Sequence, residues 1–228
     1  MLETLEAMRA RQDRNAIFLD CYQRMTRNML AAIDEGQFED GEWVNRLLHL
    51  FAEYYFNALN QFRDDPAQAP EVWQVAFGAA AHPKPGPLQL LLLGVNAHIN
   101  YDLVFTLRDM LEPEWESHSP ARRMTRLSDH RLVNKIIAST IDEVQEEVLE
   151  KESPDLGLLD DLMGRLDEWL ISRLITSWRQ AVWEDAARLL VATNPTAAEQ
   201  VKAEVTEGAL KTARRMLGRL ADEIPVRG

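Results

Sequence analysis

Residues 87–111 read PLQLLLLGVNAHINYDLVFTLRDML, and this stretch decides the fold. It opens with an almost unbroken apolar run from Leu88 to Val95. It then places Asn96, His98, Asn100 and Asp102 on alternate positions and returns to Leu103, Val104, Phe105 and Leu107. A helix apolar on every side is normally enclosed by other helices, so the polar residues it carries are expected to be buried with it. Residues four apart share a helix face, which pairs His98 with Asp102 and, on a rotated face, Asn96 with Asn100. An imidazole and a carboxylate in an apolar interior need partners, because burying either alone costs several kcal/mol. A metal ion, a ligand or a closed hydrogen-bond network would each serve.

Outward from this stretch the chain is punctuated by helix signals. Leu2 to Glu35 has near-helical apolar spacing through Ile17, Leu19, Tyr22, Met25, Met29 and Ile33, with Gly36 as a stop. Asp40 is placed to cap a helix from Gly41 to about Phe62, and Pro70 to open a short helix carrying Val72, Trp73, Val75, Ala76 and Phe77. The segment AHPKPGP is a rigid connector into the central helix. Pro113 and Pro120 bound an irregular segment, after which Ser128 can cap a helix through Leu132, Ile136, Ile141 and Val144. Ser153-Pro154 starts another, Gly164 is the expected bend within 158–192, and Asn194-Pro195 opens the last helix, which runs to about Asp222. No stretch alternates as a strand would. The expected fold is a single all-α domain, 1–228, a bundle of about seven or eight helices around a buried central helix at 87–111.

Composition narrows the function. The 228 residues carry a formal charge of −12 and a pI near 4.9, which disfavours nucleic acid and anionic membrane surfaces, both of which need clustered Lys and Arg. A single cysteine, Cys21, excludes an intrachain disulfide framework and a cysteine zinc site. The charged N-terminus lacks the apolar core of a signal peptide, and the run at 88–95 is interrupted too soon for a membrane span, so a cytoplasmic location is expected. Glycine-rich phosphate loops, nucleophile elbows and paired CxxC motifs are missing. Asp64-Asp65 lacks the third aspartate of a diphosphate-binding motif.

His49 and Glu53 repeat the four-residue spacing of His98 and Asp102. Facing one another, the two pairs could supply four ligands to zinc, iron or manganese, making the protein a metal-assisted, hydrolase-like enzyme. A second reading is a metal-free pocket in which Asp102 orients His98 for acid/base work on a small-molecule substrate, with Asn96 or Asn100 binding a polar group. A third is a helical interaction or scaffold protein whose polar residues tie helices together. Arg179, among Trp178, Val182 and Trp183, is either a buried countercharge for Asp102 or Glu53 or a cation stacked on an indole. Tyr54, Tyr55 and Tyr101 can line a pocket. Asp129 suits a helix N-terminus, Asn134 can bond across helices, and His82, His118 and His130 fall in or beside loops.

The segment Leu93-Gly94-Val95-Asn96-Ala97-His98-Ile99-Asn100-Tyr101-Asp102-Leu103 resembles the signature of an uncharacterised bacterial family, domain of unknown function family 5995. Similar features are Trp43-Val44 leading to Phe51-Ala52 and Tyr55, Trp73 with Phe77, Asp129 ahead of Asn134, and Arg179 ahead of Trp183. The resemblance covers most of the chain and implies an all-helical domain with no assigned activity. At two positions, His98 and Asp102, the helix is also similar to the HxxxD motif of zinc-dependent phospholipases C and related nucleases.

Overall fold

The computed structural model describes residues 1–117, 119–144 and 168–222, and among these every regular element is helical. In chain order the helices are α1 (Leu2–Ala10), α2 (Ala16–Asp34), α3 (Gly41–Asp64), α4 (Glu71–Ala81), α5 (Pro87–Ala97), α6 (Leu103–Leu111), α7 (Pro120–Val144), α8 (Glu168–Leu190) and α9 (Pro195–Leu217). A π turn, His98–Asp102, joins α5 to α6 as one rod, so the described residues form eight rods. Short 3-10 turns follow α3, α6 and α9.

The central rod is enclosed as its composition demands. α2, α4 and α9 pack on α5, while α3 and α8 pack on α6 and the π turn. By length and composition Pro87–Glu114 is apolar enough to cross a membrane, an 18-residue window within it having mean hydropathy 1.3, but 78% of that window is buried inside the bundle. Its surface is therefore already covered by protein. Two apolar clusters meet along the rod: one gathers Leu19, Tyr55, Trp73, Phe77 and Leu93, the other Trp43, Leu47, Val104, Leu107 and Val182. The π turn lies where they meet. Close approach of α2 requires Gly94, since a Cβ there would lie 2.4 Å from the Phe18 ring.

The capping signals work as expected at several ends. Asp40 accepts from Trp43 N at 3.0 Å, Asn194 accepts from Ala197 N at 2.9 Å, and Gly36 stops α2 in the left-handed region at φ 69°. Three expectations need correction. Leu2 to Glu35 is two helices, because the chain turns at residues 11–15, where Gln12 has φ 54° and Asp13 accepts from the backbone and side chain of Asn15. α7 begins at Pro120 rather than after Ser128, with proline in the first helical position. Asp129 consequently sits inside α7 and serves another helix: its carboxylate accepts from Glu39 N at 2.8 Å and Asp40 N at 3.0 Å, just ahead of α3. Ser153-Pro154, Gly164 and His118 lie outside the described residues.

Arg126, buried in α7, fixes that helix further by donating to Asp40 at 2.7 Å and Glu114 at 3.0 Å while lying over the Trp43 ring. These ties present α7's apolar face to α2 and α8, where the candidate site is built.

Candidate functional site

The π turn brings His98 and Asp102 into direct contact. In such a turn hydrogen bonds run five residues back, as Leu103 N does to the His98 carbonyl, so side chains four apart stand almost in line along the axis. The Asp102 carbonyl is taken up by the Thr106 hydroxyl at 2.9 Å. His98 Nδ1 and Asp102 Oδ2 are 2.9 Å apart, and Trp73 Nε1 donates to both carboxyl oxygens at 3.0 Å. His98 is 3% exposed and Asp102 1%. The result is a dry Trp73–Asp102–His98 relay joining α4 to the π turn.

Aromatic rings wall the imidazole. Phe51 stacks on it at 3.5 Å between centroids and 7° between planes, Tyr22 meets it edge-on at 4.4 Å, and Phe18, Tyr55 and Trp73 stand 5.7–6.2 Å away. Burial pushes the imidazole pKa well below its ordinary value and the carboxyl pKa well above its own, with the Trp73 hydrogen bond opposing the second shift. A low-dielectric site with no bonded countercharge favours a pair neutral overall, sharing one proton between Nδ1 and Oδ2. Neutrality leaves the remaining ring hydrogen on Nε2. That atom is buried and has no hydrogen-bond partner among the described residues.

His98, but not Asp102, lines a cavity of about 130 Å³ walled by α2, α3, the central rod, α7 and α8. Met25, Leu47, Phe51, Val133, Ile137 and Ile175 make its surface overwhelmingly apolar. With Nδ1 committed to Asp102, Nε2 is the ring's remaining polar atom for this space. Chemically, such a relay can give the Nε2 proton to an acceptor while the shared proton settles on Nδ1, leaving a carboxylate that Trp73 stabilises.

A second polar group reaches the cavity from α8. Arg179, 5% exposed, donates from Nε to Asn134 Oδ1 at 2.8 Å and from Nη2 to the His130 carbonyl at 2.7 Å, with His130 Nδ1 at 3.2 Å. His130 Nε2 in turn donates to the Arg179 carbonyl at 3.0 Å. Burial pulls the guanidinium pKa down to about 9, which leaves it charged at neutral pH. The His130 pKa falls well below its ordinary value through burial and then through the Arg179 charge. Arg179 is thus the countercharge of neither Asp102 nor Glu53, because α8 aims it at α7.

The four-ligand metal scheme is not assembled. On α3 the inward positions are Trp43, Leu47, Phe51 and Tyr55, and a residue two places from Phe51 or Tyr55 is rotated by roughly 200°. His49 and Glu53 are accordingly exposed, while His98 and Asp102 are buried. Among the described residues no group of three or more His, Cys, Asp and Glu side chains is placed to hold a metal ion. Asn96 and Asn100 form a separate ladder: Asn100 Nδ2 donates to Asn96 Oδ1 at 2.9 Å, and Asn96 Nδ2 donates to the Ala209 carbonyl of α9 at 3.0 Å. Neither lines the cavity. Of the tyrosines, Tyr54 donates to Asp109 at 2.7 Å and Tyr55 keeps its hydroxyl buried without a partner among the described residues, while Tyr22 lines the cavity in their place.

Sequence reasoning missed Trp73 as the donor to Asp102 and placed His130 in a loop. Trp73 is 29 residues from Asp102, and no local spacing joins them. His130 follows from the earlier start of α7, for which Pro120 was the available signal.

The bundle and its buried pair define an all-helical protein with an enclosed His–Asp relay. Residues 1–219 match the Family of unknown function (DUF5995), and the chain belongs to this family. No curated protein and no solved structure matches it.

Proposed function

We propose that the protein binds a small, mostly apolar organic molecule in the cavity beside the π turn and engages its polar end through His98 Nε2, with the His98–Asp102 pair available as a proton donor. The observation that carries this reading is the Nε2 atom itself: buried, unpartnered among the described residues, and on an imidazole that lines an apolar cavity. An unmet buried polar atom costs about 1–3 kcal/mol, and the few that native proteins keep call for a reason. An occupant bearing a hydrogen-bond acceptor supplies one. Support also comes from the π turn, a rare element that recurs at functional sites, and from the cavity size, close to that of an engineered cavity of ~150 Å³ that takes up benzene.

Metal-assisted hydrolysis is the weaker reading, since two of its four ligands point to solvent and the Asp102 oxygens are engaged by Trp73 and His98. The interhelical-tie reading fits the Asn96–Asn100 ladder and leaves His98 Nε2 unexplained.

The test is a thermal-shift screen of small ring and short-chain compounds carrying a carbonyl or carboxylate, run on the wild type and on Val133→Phe, which fills the cavity at an overpacking cost of about 1–3 kcal/mol. The expected result is a set of compounds that raise the wild-type Tm and leave the variant's unchanged. A screen with no hits, or hits that stabilise both proteins equally, overturns the proposal.

A further inference from the structure

We infer that the occupant of this cavity is a small monocarboxylate whose anionic head is held by Arg179, an assignment that rests on the pocket proposed above. Arg179 is a buried cation whose partners among the described residues are all neutral: the Asn134 amide, the His130 carbonyl and the His130 ring. No carboxylate among the described residues forms an ion pair with it. The nearest buried carboxyl on the central rod, Asp102, is spent on His98 and Trp73. Guanidinium does not readily shed its proton, so a buried one without a counterion is costly, and an anion entering beside it removes that cost. Its hydrogen bonds to the described residues run through Nε and Nη2.

Arg179 and His98 line the same cavity from α8 and the π turn, with Val133, Ile137 and Ile175 among the apolar residues that share it. Both polar groups are donors once the His98–Asp102 pair is neutral. A cavity wall offering a guanidinium and an imidazole N–H, and otherwise hydrocarbon, matches a carboxylate on a compact apolar body. The volume of about 130 Å³ suits a six-membered ring or a short alkyl chain. The neutral His130 completes the seat: its ring and carbonyl hold Arg179 in place while adding no charge to compete with the ligand's.

The experiment titrates the full chain with benzoate and hexanoate and with their neutral amides, benzamide and hexanamide, by calorimetry. Each carboxylate is expected to bind at least about tenfold more tightly than its amide, a difference of about 1.4 kcal/mol, and this preference is expected to vanish in Arg179→Gln. Better binding of benzoate than hexanoate would assign an aryl acid, and the reverse an aliphatic one. Amides that bind as tightly as the acids, or a preference that survives in Arg179→Gln, overturn the carboxylate assignment and leave the pocket standing. Failure of all four compounds to bind overturns both. The wild-type comparison needs no variant, so a glutamine substitution that does not fold leaves the test intact.

Discussion

Asp102→Ala is expected to cost the fold about 3–5 kcal/mol, because it strands two buried groups at once, each worth about 1–3 kcal/mol, and opens a small void. Trp73 Nε1 loses both of its acceptors, and His98 Nδ1 loses its only partner among the described residues. Asp102→Asn distinguishes the electrical state of the pair. With a neutral pair, the amide oxygen takes the Trp73 hydrogen and the amide nitrogen donates to Nδ1, so the loss is expected to stay within about 1 kcal/mol. A buried ion pair would behave differently, since the asparagine would leave a lone imidazolium and cost several kcal/mol. Chemical denaturation of the two variants measures both numbers, and equal, large losses would contradict a shared proton held mainly by Asp102.

The second large effect is on pH dependence. Between the ordinary carboxyl value of 3.8 and the ordinary imidazole value of 6.5, the unfolded chain holds one proton on His98 and none on Asp102. The folded pair also holds one, so it contributes no slope in this window. Above 6.5 the unfolded chain releases that proton and the folded pair retains it, so stability falls as pH rises, by about 1.4 kcal/mol per unit. His130 acts in the opposite direction. It is neutral when folded, so below 6.5 the unfolded state alone takes up its proton and stability falls as pH falls, at the same rate. Urea midpoints from pH 5 to 8 are expected to peak near 6.5. His130→Gln is expected to flatten the acid limb, while His98→Gln leaves Asp102 protonated alone, whose opposite slope cancels that of His130 below 6.5, so the variant is flat there and loses stability only above 6.5. An acid limb unchanged in His130→Gln would contradict the assignment.

What the sequence revealed was what local chemistry determines. A rod apolar on every side has to be enclosed, and the four-residue spacing of His98 and Asp102 forces them together once it is. Helix ends were legible at Asp40, Gly36 and Asn194-Pro195 because caps act on their immediate neighbours. The remainder depends on contacts distant in sequence. Nothing in HINYD, which has neither proline nor glycine, announces a π turn; Trp73 from α4 and Phe51 from α3 are the partners met there. The same holds for Arg179, whose neighbouring tryptophans suggested a stacked cation, whereas its actual partners, His130 and Asn134, lie 49 and 45 residues away. The spacing of His49 and Glu53 was real but carried no information on direction, and Phe51 and Tyr55 took the inward face of α3.

The central claim is that a neutral His98–Asp102 pair offers an Nε2 hydrogen to an apolar cavity. Nitrogen NMR of the His98 ring at neutral pH, with and without benzoate, tests it most directly. The account predicts a hydrogen on Nε2, a proton shared at Nδ1, and an Nε2 resonance that moves when benzoate is added. An Nε2 that carries no hydrogen and does not respond to benzoate would contradict it.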